Sequence, residues 1–198
     1  MKKSPKKSSP KKKKMVFSHE DYNSNDGMLT SVWGPIFWFF LHTMSFNYPT
    51  KPTADTKKYY KDFILSLKNI LPCRHCRDNL SENFKKLPIT TKDMKNRETF
   101  SRYVYNLHEL INKMLNKKSN LTYEEVRDRF EIFRSKCIID KKSCKKKSSK
   151  KKHSGCVNPY YGKKSKCVLK IIPHDKKEET IQIHKSCKLK KSKIAQEL

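Results

Sequence analysis

The chain has 198 residues and seven cysteines, and its 47 Lys/Arg against 19 Asp/Glu give a net charge of +28 at neutral pH. That length admits one domain with tails or two small domains. The longest apolar stretch, Val32 to Met44, is broken by Gly34, Pro35 and His42 and falls well short of the ~20 residues that span a bilayer, which excludes a transmembrane segment from the expected elements. Met1-Lys2-Lys3-Ser4 opens onto lysine and serine with no apolar segment behind it, so no secretory signal is expected. Seven cysteines in such a protein point to redox or metal chemistry rather than a secreted disulfide scaffold.

The charge is concentrated at the ends. Residues 1–14 carry eight lysines and no acid, residues 15–136 carry 20 Lys/Arg against 14 acids, and residues 137–198 carry 19 against five. The lysine, serine and proline of residues 1–14 predict a disordered basic tail, and residues 15–30 predict an irregular lead-in. Pro35 suits the first turn of a helix whose apolar face is Ile36, Phe37, Phe40, Leu41 and Met44, ended by Tyr48-Pro49 and Lys51-Pro52. A second helix is predicted from about Asp55 to Leu71, with Tyr60, Phe63, Ile64, Leu67, Ile70 and Leu71 spaced three or four apart. Pro72 stops it and sets Cys73 at the start of a short third helix with Leu80 and Phe84 inward. A fourth runs from about Arg97 to Leu115 through Phe100, Val104, Leu107 and Ile111. The fifth opens on the capping box Thr122-Tyr123-Glu124-Glu125, with Val126, Phe130 and Phe133 apolar. With no strand signal in this region, an all-α bundle of four to five helices is expected.

Lys141 to Lys152, with eight lysines, reads as part of a linker over 138–152. Within a small cysteine-containing extension, 153–187, Lys166 to Ile172 and Thr180 to His184 read as two short strands able to form a hairpin. Such a hairpin is marginal alone, and a Cys156–Cys167 disulfide would staple it. Residues 188–198 are expected to be a disordered tail.

Chemistry centres on Leu71-Pro72-Cys73-Arg74-His75-Cys76. Two thiols at CxxC spacing can close a disulfide or donate two ligands to a metal, and the free amides and dipole of a helix start favour a thiolate. A structural zinc needs four ligands; no second CxxC exists, and Cys137, Cys144, His153 and Cys156 lie across a lysine run. A redox dithiol is therefore preferred, with no metal expected. His75 could stabilise a thiolate or face solvent. A thioredoxin-like setting would need a strand before the motif, whereas a helix precedes it here. Trp38 and His42 share one helix face at i, i+4, and His108 and Asn112 repeat that spacing on the fourth helix. Together they could sandwich a planar heteroaromatic group, or be ordinary core residues.

These residues resemble a family. Trp33-Gly34-Pro35-Ile36-Phe37-Trp38-Phe39-Phe40-Leu41-His42, then Tyr48-Pro49, then Pro72-Cys73-Arg74-His75-Cys76, then Leu107 to Lys117, stand in the order and separation of the Erv/ALR flavin-linked sulfhydryl oxidases. Gly155 to Pro173 is similar to the C-terminal extension of versions encoded by large DNA viruses, the mimivirus kind in particular. The resemblance implies an FAD-binding helical domain over 15–137, with Cys73 as the outer thiol that exchanges with substrate and Cys76 facing the flavin. Trp38, His42, Tyr48, His108, Asn112 and Lys117 are then the cofactor contacts. It further implies thiol-containing client proteins, O2 as acceptor, hydrogen peroxide as product, and a homodimer through the first helices. If the chain is viral, the host cytoplasm and the virion are the expected locations. The chain departs from the family in three places: Glu109 stands where an asparagine is usual, the C-x16-C structural pair is missing, and so is a distal CxxC. Cys144 is the nearest candidate partner for Cys137, though either could be free, and Cys156 with Cys167 could form a shuttle pair instead of a structural staple. The rival expectation is a basic nucleic-acid-binding protein whose lysine tails grip phosphates without sequence specificity, with the bundle as scaffold; tails could equally tether an oxidase to nucleic acid or acidic surfaces.

Overall fold

The computed structural model describes residues 17–136 together with 156, 158–160, 163, 168–173, 175–176 and 181–182. Cys137, Cys144, Cys167 and Cys187, both lysine-rich ends and the whole linker over 138–152 lie outside the described residues, while Cys156 is disulfide-bonded.

Among the described residues six helices follow in order: α1 (His19–Asn23), α2 (Thr30–Phe46), α3 (Ala54–Ile70), α4 (Arg74–Lys86), α5 (Arg97–Met114) and α6 (Tyr123–Glu131). The lead-in is not wholly irregular, because Ser18 and Asp21 form a capping box that starts α1. The first long helix begins at Thr30, so Pro35 sits inside it rather than in its first turn. Thr53, Asn96 and Thr122 each cap a following helix through a side-chain oxygen, and the capping box at Thr122 and Glu125 forms as the sequence implied.

The core lies where α2 crosses α5 and where α3 packs on α4. Leu41, Tyr48, Ile64, Leu67, Leu80, Phe84, Phe100, Val104 and Leu107 are all buried within it. Tyr48, Tyr60 and Phe100 meet edge-on or tilted with centroids 4.8–5.5 Å apart, the arrangement favoured by ring quadrupoles. A smaller cluster of Phe46, Tyr123 and Val126 seats α6 against the end of α2.

The apolar face expected for α2 divides in two. Leu41 is buried, and Phe37 and Met44 pack on the core. Ile36 and Phe40 instead point outward with Val32, forming an exposed i, i+4, i+8 stripe; at 3.6 residues per turn these positions cannot share a face with Leu41 without an apolar band wider than the core can cover. Ile70 is likewise exposed, one turn from the buried Leu67.

Two small strand pairs follow the bundle. Strand β1 (Ser135–Lys136) pairs antiparallel with β2 (Asn158–Pro159), and the Tyr160 amide donates to Arg134 O at 2.9 Å, fastening the extension to the chain leaving α6. The expected hairpin forms between β3 (Val168–Leu169) and β4 (Ile181–Gln182). No described helix is long and apolar enough to cross a membrane.

Candidate functional site

Pro72 sets up the site. Its ring disfavours helical geometry at Leu71, which is extended at φ −54°, ψ 137° and closes α3 by donating to Leu67 O. The Cys73 amide bonds back to Leu71 O at 2.8 Å, and Arg77 donates to the same carbonyl at 2.6 Å. Cys73 thus becomes the N-cap of α4, with its Sγ accepting the Cys76 amide at 3.2 Å. Cys73 and Cys76 are joined by a disulfide, with Cα atoms 5.1 Å apart. The N-terminal amide that points at Cys73 Sγ favours negative charge on that sulfur once the bond opens. Thr30 Oγ1 lies 3.6 Å from Cys76 Sγ.

Cys73 and Cys76 both line a cavity of about 620 Å³ between α2, α4 and α5, within the size range of small-molecule sites. Trp38, Leu41, Leu107 and Ile111 are among its apolar walls, while His108, Asn112 and Lys117 supply polar groups. Four of the six residues expected to touch a cofactor therefore line one cavity with both cysteines. His75 stands exposed at its edge.

The other two are placed differently. Tyr48 is fully buried and does not line the cavity: its hydroxyl donates to Met94 O at 3.1 Å, and its ring belongs to the core cluster. His42 lies behind His108, with His42 Nε2 and His108 Nδ1 sharing a proton-bearing contact at 3.0 Å. No open sandwich exists: Trp38 and His108 are stacked on each other at 3.9 Å with planes only 7° apart. As placed, the two rings leave no gap for a planar group between them and present one stacked surface.

Burial holds both imidazoles neutral. His42 is pushed down to about 3, first by desolvation and then by His108. His108 falls to about 4 through desolvation and the Lys117 ammonium, against a raising influence from Glu109. Neutral rings can stack on and hydrogen-bond a neutral heteroaromatic without bringing charge into the apolar cavity. His42 Nδ1 is buried with no hydrogen-bond partner, the one such side-chain nitrogen or oxygen among the described residues.

Lys117 owes its place to the end of α5. Asn116 adopts the left-handed region at φ 53°, Lys117 N–H returns to Asn112 O at 2.8 Å, and Asn116 N–H to Lys113 O at 3.1 Å. This Schellman turn aims the chain so that Lys117 lines both the cavity and an adjoining open groove shared with Lys113 and Lys118. Glu109, the departure noted in the sequence, accepts the Asn112 amide at 3.0 Å.

Sequence reasoning missed Asn83. It lies seven residues after Cys76 on the same face of α4, is 1% exposed, lines the cavity, and has as partner only the Met114 thioether at 3.7 Å. The signal was available, since Cys76, Asn79, Leu80 and Asn83 follow helical spacing.

The Erv1/Alr family model matches residues 35–131. A protein named as a probable FAD-linked sulfhydryl oxidase of Acanthamoeba polyphaga mimivirus is 33% identical over 104 residues, 52% of this chain and 72% of that one. The chain belongs to the Erv1/Alr family. The FAD-linked sulfhydryl oxidase of African swine fever virus is 31% identical over 99 residues, covering 50% of this family member and 80% of the viral protein. The plant relative from Arabidopsis thaliana is 34% identical over 84 residues, 42% of each chain. Among solved structures, the FAD-binding domain of Erv1 from Saccharomyces cerevisiae is 24% identical, covers 52% of this chain and 94% of its own, and superposes with a TM-score of 0.47.

Proposed function

We propose that this Erv1/Alr member is an FAD-dependent thiol oxidase that forms disulfides in client proteins, with O2 as acceptor and hydrogen peroxide as product. The observation that carries it is a closed Cys73–Cys76 disulfide at a helix N-terminus, facing a cavity that also holds Trp38, His108, Asn112 and Lys117. The residues fit FAD by chemistry. The Trp38–His108 pair offers a flat apolar surface, buried Asn83 and half-buried Asn112 offer amides, and Lys117 with Lys113 and Lys118 offers positive charge for a diphosphate. When bound, FAD supplies two-electron redox chemistry between thiolate and O2.

The chain's own steps are thiol exchange. A client thiolate attacks Cys73 Sγ, the Cys73–Cys76 bond breaks, and Cys76 leaves as a thiolate beside the cavity. A second client thiolate attacks the client sulfur of the mixed disulfide and releases Cys73, whose departure the Cys76 amide eases. The cavity that Cys76 lines has apolar walls in Trp38, Leu41, Leu107 and Ile111. The nucleic-acid-binding alternative is not supported, because the matched relatives bear oxidase names. A tethering role for the lysine-rich ends is testable by filter binding with and without residues 1–14. We further propose a homodimer through α2, for which the exposed Val32–Ile36–Phe40 stripe is the support; Phe40→Asp should then sediment as a monomer.

The purified protein is expected to be yellow and to consume oxygen with dithiothreitol. A colourless protein that takes up no FAD and consumes no oxygen overturns the reading.

A further inference from the structure

Cys73, the sulfur assigned to clients, is not open to solvent. It is 9% exposed, covered by the chain's own residues ahead of α2. Gly27 pairs with Cys73 in an isolated antiparallel bridge. The Met28 amide donates to Pro72 O at 2.6 Å, and the Arg74 amide donates to Asp26 O at 3.1 Å. The Arg74 guanidinium also meets the Asp26 carboxylate at 2.6 Å, and Arg77 reaches Asn25 Oδ1 at 3.5 Å.

Bonds flanking a residue pair in this way define the narrow, non-hydrogen-bonded pair of an antiparallel ladder, with Cα atoms about 4.5 Å apart. A disulfide spans Cα separations of about 4.4–6.8 Å. A client cysteine paired opposite Cys73 in a regular antiparallel ladder, with the extended backbone that Gly27 itself does not adopt, is therefore within disulfide reach of Cys73. Glycine is required there for the resting contact: at φ +99°, an added Cβ would lie 2.4 Å from Pro72 O and 2.8 Å from Cys73 Cα. The segment can press on Cys73 because it brings no side chain and no thiol.

Its hold is weak. Met28 and Leu29 are each 69% exposed, so no apolar anchor sits in the bundle. The contacts are a few backbone bonds, the solvent-exposed Asp26–Arg74 pair, the long Arg77–Asn25 bond, and Trp33 Nε1 donating to Met28 O at 3.1 Å.

We propose that the backbone edge Pro72–Arg74 is the docking edge for an extended client segment, which pairs antiparallel with its reactive cysteine opposite Cys73 and an acidic residue just before that cysteine against Arg74, and that Asp26-Gly27-Met28 occupies this edge as a built-in pseudo-substrate. Strand addition of this kind takes affinity from main-chain bonds and specificity from neighbouring side chains. The inference rests on the oxidase reading for its purpose, but its chemistry is thiol exchange alone. The client thiolate forms a bond to Cys73 Sγ, the Cys73–Cys76 bond breaks with its electron pair on Cys76, and a second client thiolate frees Cys73. The client loses two electrons and two protons; the cysteine pair gains the electrons, and the protons pass through solvent.

The test is anaerobic exchange between full-length protein and end-blocked peptides, quenched with acid and read by mass as the mixed disulfide on Cys73. Asn-Asp-Cys-Asn and Asn-Asn-Cys-Asp carry equal charge and differ only in register. The first should react about two- to five-fold faster, the range of one exposed ion pair, and Arg74→Glu should abolish or reverse the preference. Equal rates in the wild-type protein overturn the docking register. Gly27→Ala and Asp26→Lys each dislodge the segment and should speed exchange with both peptides; unchanged or slower exchange in both overturns the pseudo-substrate role. Oxygen uptake is measured separately. Register-dependent exchange without oxygen uptake would defeat the oxidase reading and leave the docking edge standing, and the converse result would do the reverse.

Discussion

The two sides of the Cys73–Cys76 disulfide are built from different materials. Toward the cavity, the wall consists of side chains fixed by helix packing, with Trp38, His108 and Leu107 on crossing helices and neutral imidazoles behind. Toward solvent, the edge consists of backbone: Pro72 O and Arg74 N–H, bonded to a segment whose side chains stay largely exposed. A wall of interlocked rings resists change and can hold one fixed molecule in place. An edge of main-chain bonds and surface charge exchanges easily, which suits a site that must accept and release many proteins.

The contrast can be broken at several points. The largest effect belongs to the sulfurs: Cys76→Ser should reduce oxygen consumption with dithiothreitol to background while the visible flavin spectrum remains. Behind the wall, Phe100→Ala removes a fully buried ring and should lower unfolding free energy by about 3–5 kcal/mol in denaturant titration. On the wall, Trp38→Ala should raise the Kd for FAD by about 5- to 150-fold, as expected for loss of one stacking surface worth about 1–3 kcal/mol, measured by fluorescence titration.

The wall should also be the acid-sensitive side. His42 and His108 are held down to about 3 and about 4 when folded, against 6.5 in the unfolded chain. Below pH 6.5 the unfolded state binds more protons than the folded one, so their contribution is complete above 6.5 and is lost as pH falls toward 4. Tm should decline across that window, and His42→Phe should flatten the decline. Smallest is the edge: Asp26→Asn should alter stability by no more than about 1 kcal/mol, visible as a small Tm shift.

The same contrast explains what could be read from the sequence. The wall was legible because helix periodicity puts Trp38 with His42, and His108 with Asn112, and because Pro72 and Thr122 mark helix starts. Lys117 came from the family resemblance, and its place in the fold depends on the left-handed turn at Asn116, which no periodicity encodes. The closed sandwich was invisible, because spacing says which face a ring is on but not how far away the facing ring lies. The division of the α2 stripe needed knowledge of how wide the core is. The edge was least legible of all: residues 25–28 have no apolar pattern, and their role comes from main-chain bonds that any sequence can make. Only Gly27 left a trace, and its meaning requires the nearby Pro72 carbonyl.

The most direct single measurement is anaerobic addition of dithiothreitol to the flavin-loaded protein, followed by visible absorbance. If electrons enter at Cys73 and leave through Cys76, the flavin bleaches in the wild-type protein and stays oxidised in Cys76→Ser. Equally rapid bleaching in Cys76→Ser would contradict the disulfide's central place.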